Sequence, residues 1–177
     1  DRRQRQMCIR DRYQAIDGAT LQRVTMRGMS KPTGAMVSPL VNGWTEAVDK
    51  RAPYDPNAAK ELLVQAGYSD GFEVDFACSN NAIVQDEQLC QAITAMWSRI
   101  GVKAKLRTMP AVSYYPMAQR HEASIALLSW GVPTFDALYT LQSLTRTKTT
   151  GGDGNYNLGR YSNERMDYIC LLYTSDA

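Results

Sequence analysis

The residues best suited to hold a ligand lie in one short stretch, residues 124–136. It begins with the apolar residues 125–128, a run typical of a strand buried on both faces. Trp130 and Gly131 follow, and Pro133 prevents further regular strand pairing. Such a strand presents an aromatic ring and open backbone groups at the carboxyl edge of a sheet, where open α/β sheets bind ligands. A Trp130 that only fills the core is an equally good interpretation of the pattern.

The sequence contains no recognisable catalytic constellation. Its single histidine, His121, stands beside Glu122 at a predicted helix-to-strand junction, where a surface residue is commoner than a general base. No nucleophile elbow, zinc-protease helix or phosphate loop occurs, and the glycine-rich residues 151–154 lack the strand and the lysine of a phosphate loop. No nucleophile with its base can be named, and neither a cofactor nor a metal is predicted.

The cysteines offer two structural interpretations and no metal site. No CxxC and no cysteine–histidine cluster occurs, so a structural zinc site is not expected. Cys78 would close a strand, and Cys90 would lie in the following helix. They could form a disulfide in an oxidising compartment. Two buried free thiols are the favoured prediction, because free cysteine is among the most buried residue types.

Length and charge limit the classes of protein to which the chain can belong. The 177 residues suffice for one domain with a full core, and no apolar run approaches the ~20 residues of a membrane span. The formal charge of +2 gives no reason to expect nucleic acid or an anionic membrane as a partner.

The two ends differ from the rest of the chain. Residues 1–12 read DRRQRQMCIRDR and residues 170–177 read CLLYTSDA, and both strings are typical of translated sequencing-adapter read-through. We therefore predict non-native tails at 1–12 and 170–177 around a body of residues 13–169. That body carries no net charge. It is predicted to be a piece of a longer protein.

A strand–helix–strand unit is predicted in the middle of the chain. Apolar residues alternate over 72–78 and again over 102–106, and an amphipathic helix pattern separates them at 86–100. Strands joined in this way are parallel, with a right-handed crossover. The predicted fold class is therefore α/β with a parallel or mixed sheet. The acidic residues of the first strand are expected to face the lysines of the second on a solvated surface.

Helices and loops complete the prediction. Residues 55–67 form the clearest helix, because Asp55 suits the N-cap, Pro56 the first helical position and Gly67 the C-terminal cap. Residues 29–53 lack periodicity and contain several prolines and glycines, which indicates a long loop. The other predicted elements are a strand at 124–130, helices at 19–27, 112–120, 135–144 and from 162 onward, and a polar loop at 145–159.

Several short motifs, spread over most of the body, resemble one family of proteins. In chain order they are AID at 15–17, YDPNAAKELL at 54–63, AGY at 66–68, GFEV at 71–74, IGV at 100–102, SWG at 129–131 and YSN at 161–163. Each motif alone is weak, but their joint occurrence in this order is specific. The body resembles the carboxyl-side lobe of the solute-binding proteins of peptide-type ABC transporters, a family that includes dipeptide, oligopeptide and nickel binders.

The resemblance implies a fold and a function. The fold would be one lobe of a periplasmic binding protein type II-like structure, in which a second lobe closes over the ligand by a hinge motion. The protein would be a periplasmic, monomeric component of an ABC importer and not an enzyme. It would capture a peptide or peptide-like ligand and deliver it to a membrane permease.

The resemblance also implies a binding site. Trp130 would stack against the ligand, and Gly131 and Val132 would offer backbone groups to an extended ligand. In peptide-binding members, an Asp three residues after the Trp pairs with the ligand amine, but here that position is Pro133. Asp136, three residues further on, could replace this contact or could cap the following helix, and capping is slightly favoured.

Two other functions stay open from the sequence. The chain could be a domain of an α/β enzyme whose catalytic residues lie outside this sequence. It could also be a non-catalytic interaction module that binds a protein through the loop at residues 29–53.

Overall fold

The structure, a computed structural model, describes residues 10–175. Residues 1–9 and 176–177, which belong to the predicted non-native tails, lie outside the described residues. The chain divides into two compact units. The first unit contains the described residues up to Pro32 together with Arg51–Ser129, and the second contains Thr33–Lys50 together with the described residues from Trp130 onward.

A parallel sheet forms the centre of the first unit. Among the described residues it has three strands, β1 (Phe72–Ser79), β2 (Val102–Met109) and β3 (Ile125–Ala126), in the order β2-β1-β3. β1 pairs in parallel with both of its neighbours. The predicted parallel strand–helix–strand unit is therefore confirmed, and the fold class is α/β.

The charged residues of β1 and β2 face each other as expected. Glu73 lies in register with Lys103, and its carboxylate forms an ion pair with the Lys105 ammonium at 2.6 Å. Both side chains of this ion pair are exposed to solvent. The pair therefore contributes more to strand register than to stability.

β1 and β2 begin at a close backbone contact that requires glycine. Gly71 has a φ of 76°, and a Cβ atom at this position would collide with the carbonyl oxygen of Gly101. That same carbonyl accepts a hydrogen bond from the Phe72 N–H at 3.3 Å. A side chain at Gly71 would push the two strands apart at the point where their pairing begins.

Helical segments precede the sheet. Residues 10–14 are helical, and α1 (Gly18–Thr20) continues as a π-helix over Leu21–Thr25. The helix predicted at 19–27 is therefore confirmed in position, although most of it is not a regular α-helix. α2 (Pro56–Gln65) begins after Asp55, whose carboxylate accepts a hydrogen bond from the Ala58 N–H at 2.8 Å, as the predicted N-cap requires.

Helix α3 (Asp86–Ser98) connects β1 to β2 and buries one face against the sheet. The Trp97 ring lies 5.1 Å from the Phe76 ring of β1, measured between centroids. The predicted apolar stripe is therefore part of the core. The buried residues of this helix that join the core are Cys90, Ile93, Met96 and Trp97.

Asp86 joins the start of α3 to the end of β1. Its buried carboxylate accepts hydrogen bonds from the Ser79 hydroxyl and from the Ala82 and Glu87 N–H groups, each at 2.9 Å. Burial acts to raise the pKa of Asp86, but these hydrogen bonds outweigh it and hold the pKa below its ordinary value of 3.8. The carboxylate is therefore ionised at neutral pH, where it accepts these bonds most strongly.

The strand predicted at 124–130 is wrong in length. β3 ends at Ala126, and its residues are half-buried at the edge of the sheet. The Leu127 N–H still donates to Ala77 at 3.2 Å, but the Leu127 carbonyl accepts a hydrogen bond from the hydroxyl of Tyr114 on α4 (Ala111–Gln119). Since a side chain takes this backbone acceptor, the chain leaves the sheet here.

The second unit is built around α5 (Ala137–Leu144), α6 (Glu164–Ser175) and the polar loop between them. The Asn157 amide donates to the carbonyls of Arg146 and Tyr161 at 2.9 and 2.7 Å. The Thr147 hydroxyl donates to the Asp167 carboxylate at 2.6 Å. These side-chain hydrogen bonds fold a loop that has no apolar periodicity. Within the described residues, no helix has the length and apolar character needed to cross a membrane.

Cys78 and Cys90 form a disulfide between the end of β1 and α3. The prediction of two free thiols is therefore wrong, and the alternative that the sequence left open is correct. Both cysteines are fully buried. The helical spacing of α3 places Cys90 on the face that meets the sheet, directly beside the strand end.

Removing this disulfide should destabilise the chain. The bridge closes a loop with a sequence separation of 12 residues, for which restriction of the unfolded state is worth about 3 kcal/mol. We expect a reductant to lower the free energy of unfolding of the wild-type chain by about 2–4 kcal/mol, measured by urea titration. The double variant Cys78→Ala/Cys90→Ala should start from the lower value and should not respond to the reductant. Equal responses of the two proteins would contradict the disulfide.

Candidate functional site

Trp130 is the first residue of the second unit after the chain leaves the sheet, and aromatic contacts hold it there. Its ring stacks on Tyr139 with a centroid distance of 5.4 Å and meets Tyr156 at 5.2 Å in an edge-on arrangement. The indole N–H donates to the hydroxyl of the buried Thr140 at 3.1 Å. Trp130 is therefore half-buried, with one face covered by Tyr139 and its polar atom satisfied.

The backbone after Trp130 is open. A Cβ atom at Gly131 would meet nothing within 4 Å, and the residue is exposed. Among the described residues, no acceptor is found for the N–H groups of Gly131 and Val132. The Val132 carbonyl accepts from the Phe135 N–H at 3.3 Å, which closes a tight turn. The segment thus presents backbone donors that an extended ligand could use.

Phe135 adopts a backbone conformation that is rare for a bulky residue. Its φ is 53°, in the left-handed region, where a residue other than glycine loses roughly 1–2 kcal/mol. Backbone hydrogen bonds hold this conformation on both sides, because Phe135 donates to Val132 and its carbonyl accepts from the Asn42 N–H at 2.9 Å. The residue is 66% exposed. No pattern in the sequence predicts a left-handed backbone at Phe135.

Asp136 caps α5, which confirms the favoured prediction for this residue. One carboxylate oxygen accepts from the Leu138 N–H at 2.8 Å, and the other accepts from the Asn42 side-chain amide at 2.8 Å. The Leu138 N–H, and then the Asn42 amide, lower the pKa of Asp136 below its ordinary value of 3.8. Asp136 therefore carries a full negative charge at neutral pH.

Asn42 is a site residue that the sequence interpretation missed. It lies in the predicted long loop, and it forms a parallel bridge with Asp136, in which its carbonyl accepts from the Ala137 N–H at 2.9 Å. Gly43 has a φ of 90°, and a Cβ atom there would lie 2.9 Å from that of Ala137. The Asn-Gly dipeptide was the available signal, since it marks a turn with positive φ.

The loop that carries Asn42 is closed by a second carboxylate. Asp49 accepts hydrogen bonds from the Thr33 hydroxyl and from the Gly34 and Ala35 N–H groups, the last two at 2.8 and 3.2 Å. These bonds join the two ends of Thr33–Lys50. The central part of the predicted loop, Thr33–Lys50, is therefore a closed loop of the second unit.

A cleft of about 490 Å³ opens beside Asp136 within the second unit. Its lining is mostly apolar, with the polar side chains of Asn42 and Asp136 on it. The lining residues are Asn42, Gly43, Asp136, Ala137, Leu138, Leu141, Ile169 and Cys170. Of the four predicted site residues, Asp136 lines this cleft. The other three do not line it and precede Asp136 in the chain, and they are Trp130, Gly131 and Val132. Burial raises the pKa of the Cys170 thiol above its ordinary value.

No metal centre is found in the part of the chain that the structure describes. No group of three or more histidine, cysteine, aspartate or glutamate side chains is placed there to hold an ion. The polar groups of the site are thus a carboxylate, an amide and backbone N–H groups, which suit an organic ligand with hydrogen-bonding groups.

Comparison with known proteins identifies relatives over nearly the whole chain. A family model described as "Bacterial extracellular solute-binding proteins, family 5 Middle" matches residues 13–152. Heme-binding protein A of Haemophilus influenzae is 27% identical over 161 residues, which is 88% of this chain and 28% of the relative. Glutathione-binding protein GsiB of Salmonella typhimurium is 28% identical over 169 residues, which is 92% of this chain and 32% of the relative.

The fold has a close counterpart among solved structures. The periplasmic binding protein DppA of Helicobacter pylori, in complex with the peptide STSA, superposes with a TM-score of 0.81 at 21% identity. The match covers 97% of this chain and 33% of that one. The chain therefore spans about a third of the length of the relatives it matches.

The Asn42–Asp136 pair should contribute measurably to stability. Asp136→Ala removes a helix cap, so we expect the free energy of unfolding to fall by about 1–2 kcal/mol, measured by urea titration. Asn42→Ala should cost less, and the double variant should be less destabilised than the sum of the two, with a coupling of about 0.5–1.5 kcal/mol. Asp70→Ala, at an exposed carboxylate of the first unit, is the control. Strict additivity of the two site variants would show that the pair is not formed.

Proposed function

Because the chain belongs to family 5 of the bacterial extracellular solute-binding proteins, we propose that it is one lobe of an ABC-importer binding protein for a peptide or peptide-like ligand. The longer protein captures this ligand outside the cytoplasm and delivers it to a membrane permease. The chain spans about a third of the length of its relatives, so the second lobe of the proposed protein is contributed by sequence outside this chain.

The family and the fold predicted from the motifs are confirmed. The matched family consists of extracellular solute-binding proteins, and the structural counterpart is a periplasmic binding protein. The named relatives are binding proteins, as the expectation of a non-enzymatic role requires. Two of these relatives are named for heme and glutathione and the third is bound to a peptide, so the family accommodates ligands of different chemistry.

The observation that carries the proposal is the open backbone after Trp130. Peptide-like ligands are extended and bring alternating N–H and C=O groups, which pair with unpaired backbone of a protein. Gly131 and Val132 offer such groups, and Gly131 leaves room for close approach. Trp130, held by Tyr139 and Thr140, supplies a fixed aromatic surface next to them. A fixed aromatic group contributes affinity without an ordering cost on binding.

Asp136 contributes negative charge to the proposed site while it caps α5. Each of its carboxylate oxygens already accepts one hydrogen bond, and each can accept another. A ligand ammonium or amide N–H is the matching group. Because Pro133 occupies the position of the amine-binding Asp of peptide-binding members, Asp136 is the proposed substitute in this chain.

The remaining parts of the proposal follow from the family. The protein acts as a monomer in the periplasm, its second lobe closes over the ligand, and the closed form docks on the permease. No cofactor takes part. Nothing observed favours the two other functions that the sequence left open, an enzyme domain or an interaction module.

Trp130→Ala in the full-length protein should weaken peptide binding. Loss of the aromatic surface is expected to raise the dissociation constant about tenfold or more, measured by calorimetry with Ala-Ala-Ala and with glutathione. Trp130→Phe, which keeps a ring beside Tyr139, should bind more tightly than the alanine variant. Tyr54→Ala, at an exposed aromatic residue of the first unit, is the matched control.

The proposal fails if folded Trp130→Ala protein, checked by circular dichroism, binds these ligands as tightly as the wild type. It also fails if the wild type binds neither of them.

A further inference from the structure

We propose that the Phe135 ring contacts the ligand and selects for ligands that carry a flat apolar or aromatic group. This inference rests on the proposed function, because it concerns the same binding segment. It names a specificity-determining residue that neither the sequence motifs nor the comparisons assign. The backbone conformation of Phe135, its exposure and its neighbours in the chain all point to this role.

Phe135 is unusual among residues with positive φ. In the described part of the chain, the other non-glycine residues with a positive φ have polar or charged side chains, and they are Arg27, Gln85, His121 and Arg160. Polar side chains of this kind lose little by exposure at a turn. Phe135 instead combines a strained backbone with an apolar side chain in a residue that is 66% exposed. Glycine would avoid both penalties, so the ring needs a partner that the described residues do not supply.

The structure holds the backbone of Phe135 in place before any ligand arrives. The Phe135 N–H donates to the Val132 carbonyl at 3.3 Å, and the Phe135 carbonyl accepts from the Asn42 N–H at 2.9 Å. The next residue, Asp136, is fixed by the Asn42 side chain and by α5. A backbone held on both sides restricts the directions that its side chain can take. Less conformational entropy is therefore lost when the side chain contacts a ligand.

The position of Phe135 in the chain argues that the partner is the ligand. It stands between Val132, whose backbone is proposed to pair with the ligand, and Asp136, whose carboxylate is proposed to meet a ligand N–H group. It also lies five residues after Trp130. Phe135 does not line the cleft beside Asp136, so we assign its ring to the part of the ligand that lies along the segment after Trp130.

An aromatic ring recognises a particular ligand chemistry. Benzene rings attract flat apolar and aromatic groups through offset or edge-on contacts, and they gain little from small polar groups. For a peptide ligand, the matching group is a phenylalanine, tyrosine or tryptophan side chain. The proposal therefore gives the site a preference for ring-bearing ligands over ligands of the same length that lack a ring.

The test measures this preference in the full-length protein with two tripeptides, Ala-Phe-Ala and Ala-Ala-Ala, which differ only by the ring. By calorimetry, the wild type should bind Ala-Phe-Ala roughly three- to tenfold more tightly. Phe135→Gly should bring this ratio to about one, by weakening only Ala-Phe-Ala. Because glycine suits the left-handed backbone, the variant should melt no lower than the wild type. Arg160→Gly, at another exposed left-handed residue of the second unit, should keep the wild-type ratio.

Three results would overturn the inference, and they are distinguishable. If the wild type binds both tripeptides but Phe135→Gly keeps the wild-type ratio, the ring does not select the ligand, while the proposed function stands. If Phe135→Gly melts several degrees lower and weakens both tripeptides equally, the ring packs against another part of the longer protein. If the wild type binds neither tripeptide, the proposed peptide ligand fails and this inference fails with it.

Discussion

The bridge between Asn42 and the start of α5 is the interaction on which the candidate site depends. The Asn42 backbone donates to Phe135 and accepts from Ala137, and its side chain donates to Asp136. These partners are more than 90 residues away in the sequence, so no local preference brings them together. The same bridge stabilises both the left-handed backbone of Phe135 and the N-terminal cap of α5. Without it, the strained backbone of Phe135 would relax, and the segment that follows Trp130 would lose its defined course.

Local rules predicted much of the fold, and long-range contacts account for what they missed. The alternation of apolar residues gave the parallel strand–helix–strand unit, and Asp55 is the N-cap that its residue type suggests. The length of β3 was not predictable, because the Tyr114 hydroxyl that takes the Leu127 carbonyl comes from a different helix. The disulfide and the role of Asn42 likewise depend on side chains that meet only after folding. The positive φ of Phe135 contradicts residue preference, and no pattern indicates it.

The candidate site combines a rigid frame with an open backbone. Aromatic stacking and a hydrogen bond to Thr140 fix Trp130, while Gly131 and Val132 keep N–H groups available. Asp136 adds a negative charge, and the hydrogen bond that caps α5 fixes the orientation of its carboxylate. This arrangement suits the proposed binding role, since the ordering cost of the frame is met during folding, before a ligand binds.

Amide hydrogen exchange of the full-length protein, with and without Ala-Phe-Ala, tests the central claim most directly. If the open backbone after Trp130 pairs with the ligand, the amides of Gly131 and Val132 should exchange markedly more slowly when the peptide is present, whereas the central strand β1 should be unaffected. Saturating peptide that leaves the exchange of these two amides unchanged, while it protects amides elsewhere in the protein, would contradict the account.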